Sequence, residues 1–298
     1  MRQMLYRRFP GLARRRYARL CRELLANGKT RHIYLLSFDC DNPEDLPALR
    51  SLLPLLDELA IRVAIAAPGE ILQRDPAFFR QLHQDGHELM GHGWRQHSAI
   101  RDGQYLSTLY YHNLTDAQLD EEITRSRDAV ASLTGAPPAG FRIPHFGHSN
   151  TPEELHRVHS RLPPLGIAYS SSTLPRMAIR HGPLYPAQEG LLELPISPSF
   201  CKPTAILDTF SHGFDHRAKP AKSFQEYHAE FMRMLEYAVR KPAWVCNLYC
   251  DPSQAVGMQG WWEKTVRAAH AHGFSFQTLD QFRKPYAIPP ATPAILRP

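Results

Sequence analysis

The sequence predicts an α/β protein built on a parallel sheet that closes into a barrel of about seven strands. Strand-like and helix-like segments alternate over about 250 residues, the signature of repeated β-then-α units. No glycine-rich phosphate loop follows the first strand, where an open nucleotide-binding sheet needs one. Polar residues also gather where strands end: Asp39 and Asp41, His92, Arg142, Ser170 to Ser172, and Asp251. Active sites of parallel barrels lie on that face.

In order along the chain, Ala13, Tyr17, Leu20 and Leu24 recur at helical spacing after the Pro10-Gly11 break, with Arg14, Arg15, Arg19 and Arg22 mostly off that stripe. This reads as a basic amphipathic helix within 11–26. HIYLLSF is the first strand. Pro43 opens a helix whose Leu46, Leu49, Leu53, Leu56 and Ala60 keep a helical period, and IRVAIAAPG supplies the next strand. A short helix in DPAFFRQLHQDG leads to the strand-like HELM. Thr115 and Gln118 stand at capping-box spacing before the stripe Leu119, Ile123, Val130 and Leu133, which Gly135 ends. GFRIP begins another strand, a helix follows near 152–161, and IAYSSS and LLELPIS are further strands. Ser223 with Glu226 caps a helix ending near Lys241. AWVCNLYCD is strand-like, Gln259 to His272 is helical, and FSFQTL is the last strand. The organisation is a basic segment over 1–31, the barrel over 32–285 and a Pro-rich tail over 286–298.

A chain of 298 residues with 43% hydrophobic content can bury a substantial core. Five cysteines, none in a CxxC pair, fit reduced thiols, and no apolar run has the length of a signal peptide or a membrane span. A cytoplasmic location is the expectation. The net charge of +6 is concentrated: residues 1–31 hold +9, leaving −3 for the remainder. The basic segment either covers one end of the barrel or touches an anionic membrane at its inner face, where a lipid-linked glycan would be met. Nucleic acid is not expected, because nothing in the barrel supplies an interleaved aromatic and basic face.

In a strand, side chains alternate, so Asp39 and Asp41 share one side and Cys40 faces the other. Two carboxylates so close repel unless a cation lies beside them. A bound metal resolves the conflict, one aspartate serving as ligand while the other takes a proton from the activated water. Standing alone, a DxD fits equally well a simple cap of the following helix through Asp41, Asn42 or Glu44. The segment GHELMGHGWRQH adds His87, His92 and His97, and imidazole with carboxylate is a ligand set for zinc or a similar divalent ion. HELM delivers His92 to the same end of the sheet as the aspartates. Arg142 in GFRIPHFG can pair with Asp39 and aim it, or form an ordinary ion pair on the rim.

SFDCD, GHELMGH with a following His, GFRIP, LLELPIS and LYCDP resemble, in their order, the motifs of the polysaccharide deacetylases, carbohydrate esterase family 4, also called the NodB-homology family. The resemblance runs from about Ile33 to Phe282. It implies a distorted (β/α) barrel and a metal-dependent hydrolase that removes acetyl, or formyl, from an N-acylated amino sugar, glycan or glycolipid precursor. Carried over residue by residue, it implies Asp39 as catalytic base, Asp41 as metal-ligating aspartate, His92 as first metal histidine, and Arg142 as the arginine that orients the base. His87 matches a position beside the metal motif that has no ligand role.

Three positions depart from the family pattern. The second metal histidine is expected four residues after the first, where Gln96 stands, so the role falls to His97, which a loop but not a helical turn can bring into place. LYCDP carries Asp251 where the family has a histidine acting as general acid. Serine replaces the family's aspartate near YSSS. The departing amine needs a proton, which Asp251 can supply if burial raises its pKa, as can His145 or His148 from the neighbouring strand end. The backbone after Pro144 is the candidate oxyanion donor, so Pro144, His145 and His148 are expected on the substrate side. Two other readings fit the same residues: an allantoinase-like cyclic amidase, to whose version of the segment HGWR is similar, and a catalytically degenerate barrel that binds a glycan.

Overall fold

The unbroken apolar run HIYLLSF becomes a strand covered on both faces, as a central strand of a parallel sheet must be. The computed structural model describes residues 6, 8–26, 28, 30–102, 104–214 and 223–286. Its strands are β1 (His32–Asp39), β2 (Ala64–Ala67), β3 (Glu88–Gly91), β4 (Ser98–Arg101), β5 (Gln104–Ser107), β6 (Gly140–Phe141), β7 (Tyr169–Ser170), β8 (Tyr185–Gln188), β9 (Leu191–Glu193), β10 (Trp244–Cys250) and β11 (Ser275–Gln277). Seven parallel strands follow one another in the order β10-β1-β2-β3-β6-β7-β9. β11 joins the N-terminal half of β1, and β8 adds an antiparallel edge to β9.

The sheet curls until the chain beyond β9 returns to β10. There Ser197 N donates to Asn247 O at 2.9 Å, and Asn247 Nδ2 donates to Leu194 O and Pro195 O at 3.0 and 3.1 Å. The distortion lies in β6 and β7, only two residues each. Side chains hold that side together: buried Glu193 accepts from Ser172 N, Thr173 N and Thr173 Oγ1.

Helices pack outside this sheet, and their ends follow the expected capping chemistry. Thr115 with Gln118 and Ser223 with Glu226 form reciprocal capping boxes on Asp116–Thr134 and Phe224–Val239. Gly135 ends the first of these at φ +81°. Pro43 does not open its helix, which runs Asp45–Glu58. The buried Asp45 carboxylate accepts Asn42 N and Ser253 N and Oγ, so residues 42–44 turn over this tie before the helix begins. The hairpin β4–β5 and the short helices Gly69–Leu72, Pro175–His181 and Pro252–Gly257 have no counterpart in the expected element order.

The basic helix Pro10–Leu24 buries Ala13, Tyr17, Ala18 and Cys21 over the seam where the barrel closes. Tyr17 Oη donates to Val245 O at 2.9 Å and lies 3.1 Å from Ser197 Oγ. Arg14 and Arg16 donate to the carbonyls of Phe200, Ile179 and Arg180, while Arg8, Arg15, Arg19 and Arg22 are exposed. Among the described residues no helix is long and apolar enough to cross a membrane. The Pro-rich tail from 287 onward lies outside the described residues.

His87 precedes β3, at the opposite end of that strand from His92, and so stands apart from the other histidines of its motif. It is buried, and its Nδ1 accepts Val63 N at 3.3 Å. Burial, then the Arg62 charge, depresses its pKa to about 4. A histidine held neutral in the fold but free to charge when unfolded contributes stability that is present above about pH 6.5 and is lost as pH falls toward 4, about 3 kcal/mol in all. His87→Gln keeps an acceptor for Val63 without the titration. In thermal melts at pH 7.5 and pH 4.5 the variant should lose less Tm than wild type; parallel losses would refute this assignment.

Candidate active site

The C-terminal ends of the parallel strands converge on one cavity of ≈ 410 Å³. Asp39 ends β1, Asp41 and His92 lie just beyond β1 and β3, and Asp251 follows β10; all four line the cavity. Arg142 and Ser171 follow β6 and β7 and stand behind Asp39.

Asp41, His92 and His97 are buried and bring their ligand atoms within 4.8 Å of one another. Asp41 Oδ1 lies 3.1 Å from His92 Nε2 and 2.9 Å from His97 Nε2. His92 Nδ1 sits 2.8 Å from the Arg142 carbonyl oxygen, which can only accept. Nδ1 therefore carries a hydrogen, and Nε2 is free to present a lone pair toward Asp41. Both ring nitrogens of His97 are buried without a hydrogen-bond partner of acceptable geometry. A buried imidazole left unsatisfied, with its Nε2 facing a carboxylate, is costly unless a cation sits between them, so these residues fit a divalent metal. The electrostatics agree: against burial, which pushes it up, His97 and His92 hold the Asp41 carboxyl well below the usual range. Against burial, which pushes it down, Asp41 and Asp39 raise His92. The group attracts positive charge.

His97 reaches the site through a loop. Gly93 turns the chain at φ +83°, where an added Cβ would come within 2.7 Å of Tyr111 Oη, so only glycine fits. Glu122 accepts Trp94 N, Arg95 N and Arg95 Nε, and Glu70 accepts Gln96 N. These carboxylates grip the loop that absorbs the one-residue displacement.

Asp39 does not join the trio. Its Oδ1 accepts from Arg142 Nη1 at 2.5 Å, and the fully buried guanidinium also donates to Ser37 Oγ, Ser171 O and Ser171 Oγ. Where the family pattern has an aspartate, the serines thus serve as neutral acceptors, leaving Asp39 as the carboxylate partner of Arg142. Asp251 is the N-cap residue of Pro252–Gly257 yet makes no capping hydrogen bond. Instead its Oδ2 accepts Gln254 Nε2 at 2.6 Å, and Gln254 is set by Thr209 Oγ1 at 2.6 Å. Burial first, then the charges of Asp41, Asp45, Asp39 and Asp208, push Asp251 well above the usual carboxylate range.

His145 and His148 line the cavity, whereas Pro144 is buried behind it, close to Gly93. His145 adopts φ +47° and its Nε2 donates to His97 O at 2.9 Å, so it braces the Asp41, His92 and His97 group as well as facing the cavity. Burial, then His97, lowers its pKa to about 4, which leaves it a poor proton carrier beside Asp251. Sequence reasoning missed Tyr105, whose Oη donates to Asp41 Oδ2 at 2.5 Å, and Asp208, which lines the cavity. The signal for the first was present: Asp102-Gly103 is a hairpin-turn dipeptide.

The polysaccharide deacetylase family model matches residues 26–159. No curated protein matches the chain significantly. Among solved structures, a candidate polysaccharide deacetylase from Mycobacterium smegmatis aligns with TM-score 0.65 at 16% identity, over 91% of this chain and 96% of that one. The PuuE allantoinase aligns with TM-score 0.63 at 15% identity, over 89% and 94%. A further candidate polysaccharide deacetylase, from Pseudomonas aeruginosa PAO1, gives TM-score 0.59 at 16% identity, over 80% and 71%. At these identities the likeness is one of fold, the curled parallel sheet of the NodB type. Members of the matched family are hydrolases of amide C–N bonds.

Proposed function

We propose that this chain, whose residues 26–159 match the polysaccharide deacetylase family model, removes an acetyl group from a phosphate-free N-acetylated amino sugar in a zinc-dependent reaction. The observation that carries this reading is the buried trio Asp41, His92 and His97, with the His97 ring nitrogens unpartnered. Two histidines and one carboxylate are a set that catalytic zinc accepts. Asp41, His92 and His97 would hold the ion, and the chemistry it would supply is Lewis acidity toward the acyl carbonyl and toward water.

The remaining chemistry belongs to the chain. Asp39, aimed by Arg142, accepts the proton of the attacking water. Asp251, held protonated by burial, returns a proton to the amide nitrogen so that it leaves as an amine. Aromatic rings of Tyr105, Tyr110, Phe146, Phe210 and Tyr249 frame the cavity and offer flat apolar faces to a sugar ring. Among the described residues Asp39, Asp41, Asp208 and Asp251 line it and no lysine or arginine does, which disfavours a phosphate-bearing, lipid-linked substrate.

Zinc-loaded protein should release acetate from N-acetylglucosamine or a short oligomer of it. Asp39→Asn should lose about 10²–10⁴-fold in rate while still binding one zinc, since general-base removal costs that much. Opening of a cyclic ureide with no acetate released would transfer the reading to the allantoinase-like alternative. A protein that binds these sugars without turning over either class is the degenerate barrel.

A further inference from the structure

The structure assigns the hairpin β4–β5 a part in building the metal site, and we propose that Tyr105 is a positioning residue that makes Asp41 a one-oxygen ligand. The inference rests on the metal-dependent reading above.

The hairpin begins where the His97 loop ends. Ser98 pairs with Ser107 and Ile100 with Tyr105, and Thr108 N closes its base on His97 O at 2.8 Å. One short element therefore sends two groups to a single carboxylate. His97, at its base, faces Asp41 Oδ1, and Tyr105, on its returning strand, donates to Asp41 Oδ2. His92 also faces Oδ1, so both imidazoles and the hydroxyl divide the carboxylate between them. An oxygen that already accepts a short hydrogen bond is a weaker and differently aimed ligand than its free partner. Without the phenol, Asp41 can turn and offer both oxygens.

Tyr105 is itself held. Its ring packs against Phe210 at 5.5 Å between centroids and against His145 at 6.4 Å. Phe210 begins the turn Phe210–His212, reached from β9, so the contact joins two sides of the cavity rim above Asp41. The displaced histidine and the tyrosine thus form one unit. A metal histidine one residue late is tolerated because the hairpin that follows fixes its carbonyl and returns a hydroxyl to the shared ligand.

The test uses full-length protein stripped with a chelator and titrated with zinc alone against a chromophoric competitor, then with cobalt(II) for its visible spectrum. Tyr105→Phe should bind zinc about 10–100-fold more weakly, the usual effect of removing a group that orients a ligand. Its cobalt bands should also change in intensity, because a second Asp41 oxygen becomes available. An unchanged zinc affinity with a superimposable cobalt spectrum would overturn the proposal and leave the metal-dependent reading standing. Wild-type protein that binds neither ion would overturn both. If Tyr105→Phe does not melt cooperatively, Phe210→Leu decides: it keeps the hydroxyl but loosens the ring, and should weaken zinc binding less than tenfold while altering the cobalt bands; no change in either would refute the assignment.

Discussion

Asp251→Asn is expected to lower acetate release by about 10²–10⁴-fold, the range set by loss of a general acid, with zinc affinity unchanged. Asp251 stands where the family pattern carries a histidine, so the chain must obtain its proton donor from a different acid. An ordinary carboxylic acid is ionised at neutral pH and has no proton to give. Here burial is the largest cause of a raised pKa, and it persists whatever occupies the trio at Asp41. Repulsion from Asp41, Asp45, Asp39 and Asp208 adds to it. Gln254 Nε2 occupies Oδ2, which leaves Oδ1 as the oxygen to carry the hydrogen of this cavity-lining acid. The sign of the pH dependence follows: the acid works only while protonated, so activity should fall as pH rises through its folded pKa. That alkaline limb should vanish in Asp251→Asn. Asp251→His should restore part of the rate with the limb moved toward the histidine range. A variant that keeps wild-type turnover and an unaltered alkaline limb would remove Asp251 from the mechanism and return the role to His148.

Sequence patterning carried the strand ends well. β1 was legible because its apolar run is continuous, and two aspartates cannot end such a run without a reason. Capping boxes at Thr115 and Ser223 were legible because they are local, three residues apart. The position of His97 was not, since it depends on Glu70 and Glu122, both more than 20 residues away in sequence. The hairpin Ser98–Ser107 escaped for another reason. It exposes Ile100 and Leu106, both apolar, so the apolar-in, polar-out alternation that marks a strand is absent from its sequence. Its purpose shows only when Tyr105 is seen on Asp41. β6 and β7 are too short for any period to register, and the barrel is held there by side chains whose partners are remote in sequence.

Arg142→Met should cost about 3–5 kcal/mol, the loss typical of breaking one side of a buried ion pair, against a total stability of about 5–15 kcal/mol for a domain. Arg142 is fully buried and donates to four oxygens on two elements, Ser37 and Asp39 of β1 and Ser171 after β7. It therefore ties the eight-residue β1 to the side built from the two-residue strands β6 and β7. Methionine fills much of the volume but leaves Asp39 as a buried, unpaired carboxylate and Ser171 O without its donor. If the orphaned charge dominates, adding Asp39→Asn to Arg142→Met should recover most of the lost stability, with a coupling well beyond additivity in a double-mutant cycle. Activity should not return, because the base is gone. If instead the cross-strand tie to Ser171 dominates, the double variant will melt no higher than Arg142→Met alone. Lysine is the third arm: it keeps the charge but not the planar fork, so it can pair with Asp39 or reach Ser171, but not both. Arg142→Lys should therefore retain more stability than Arg142→Met and still lose rate, since a base that is ionised but wrongly aimed abstracts a proton poorly.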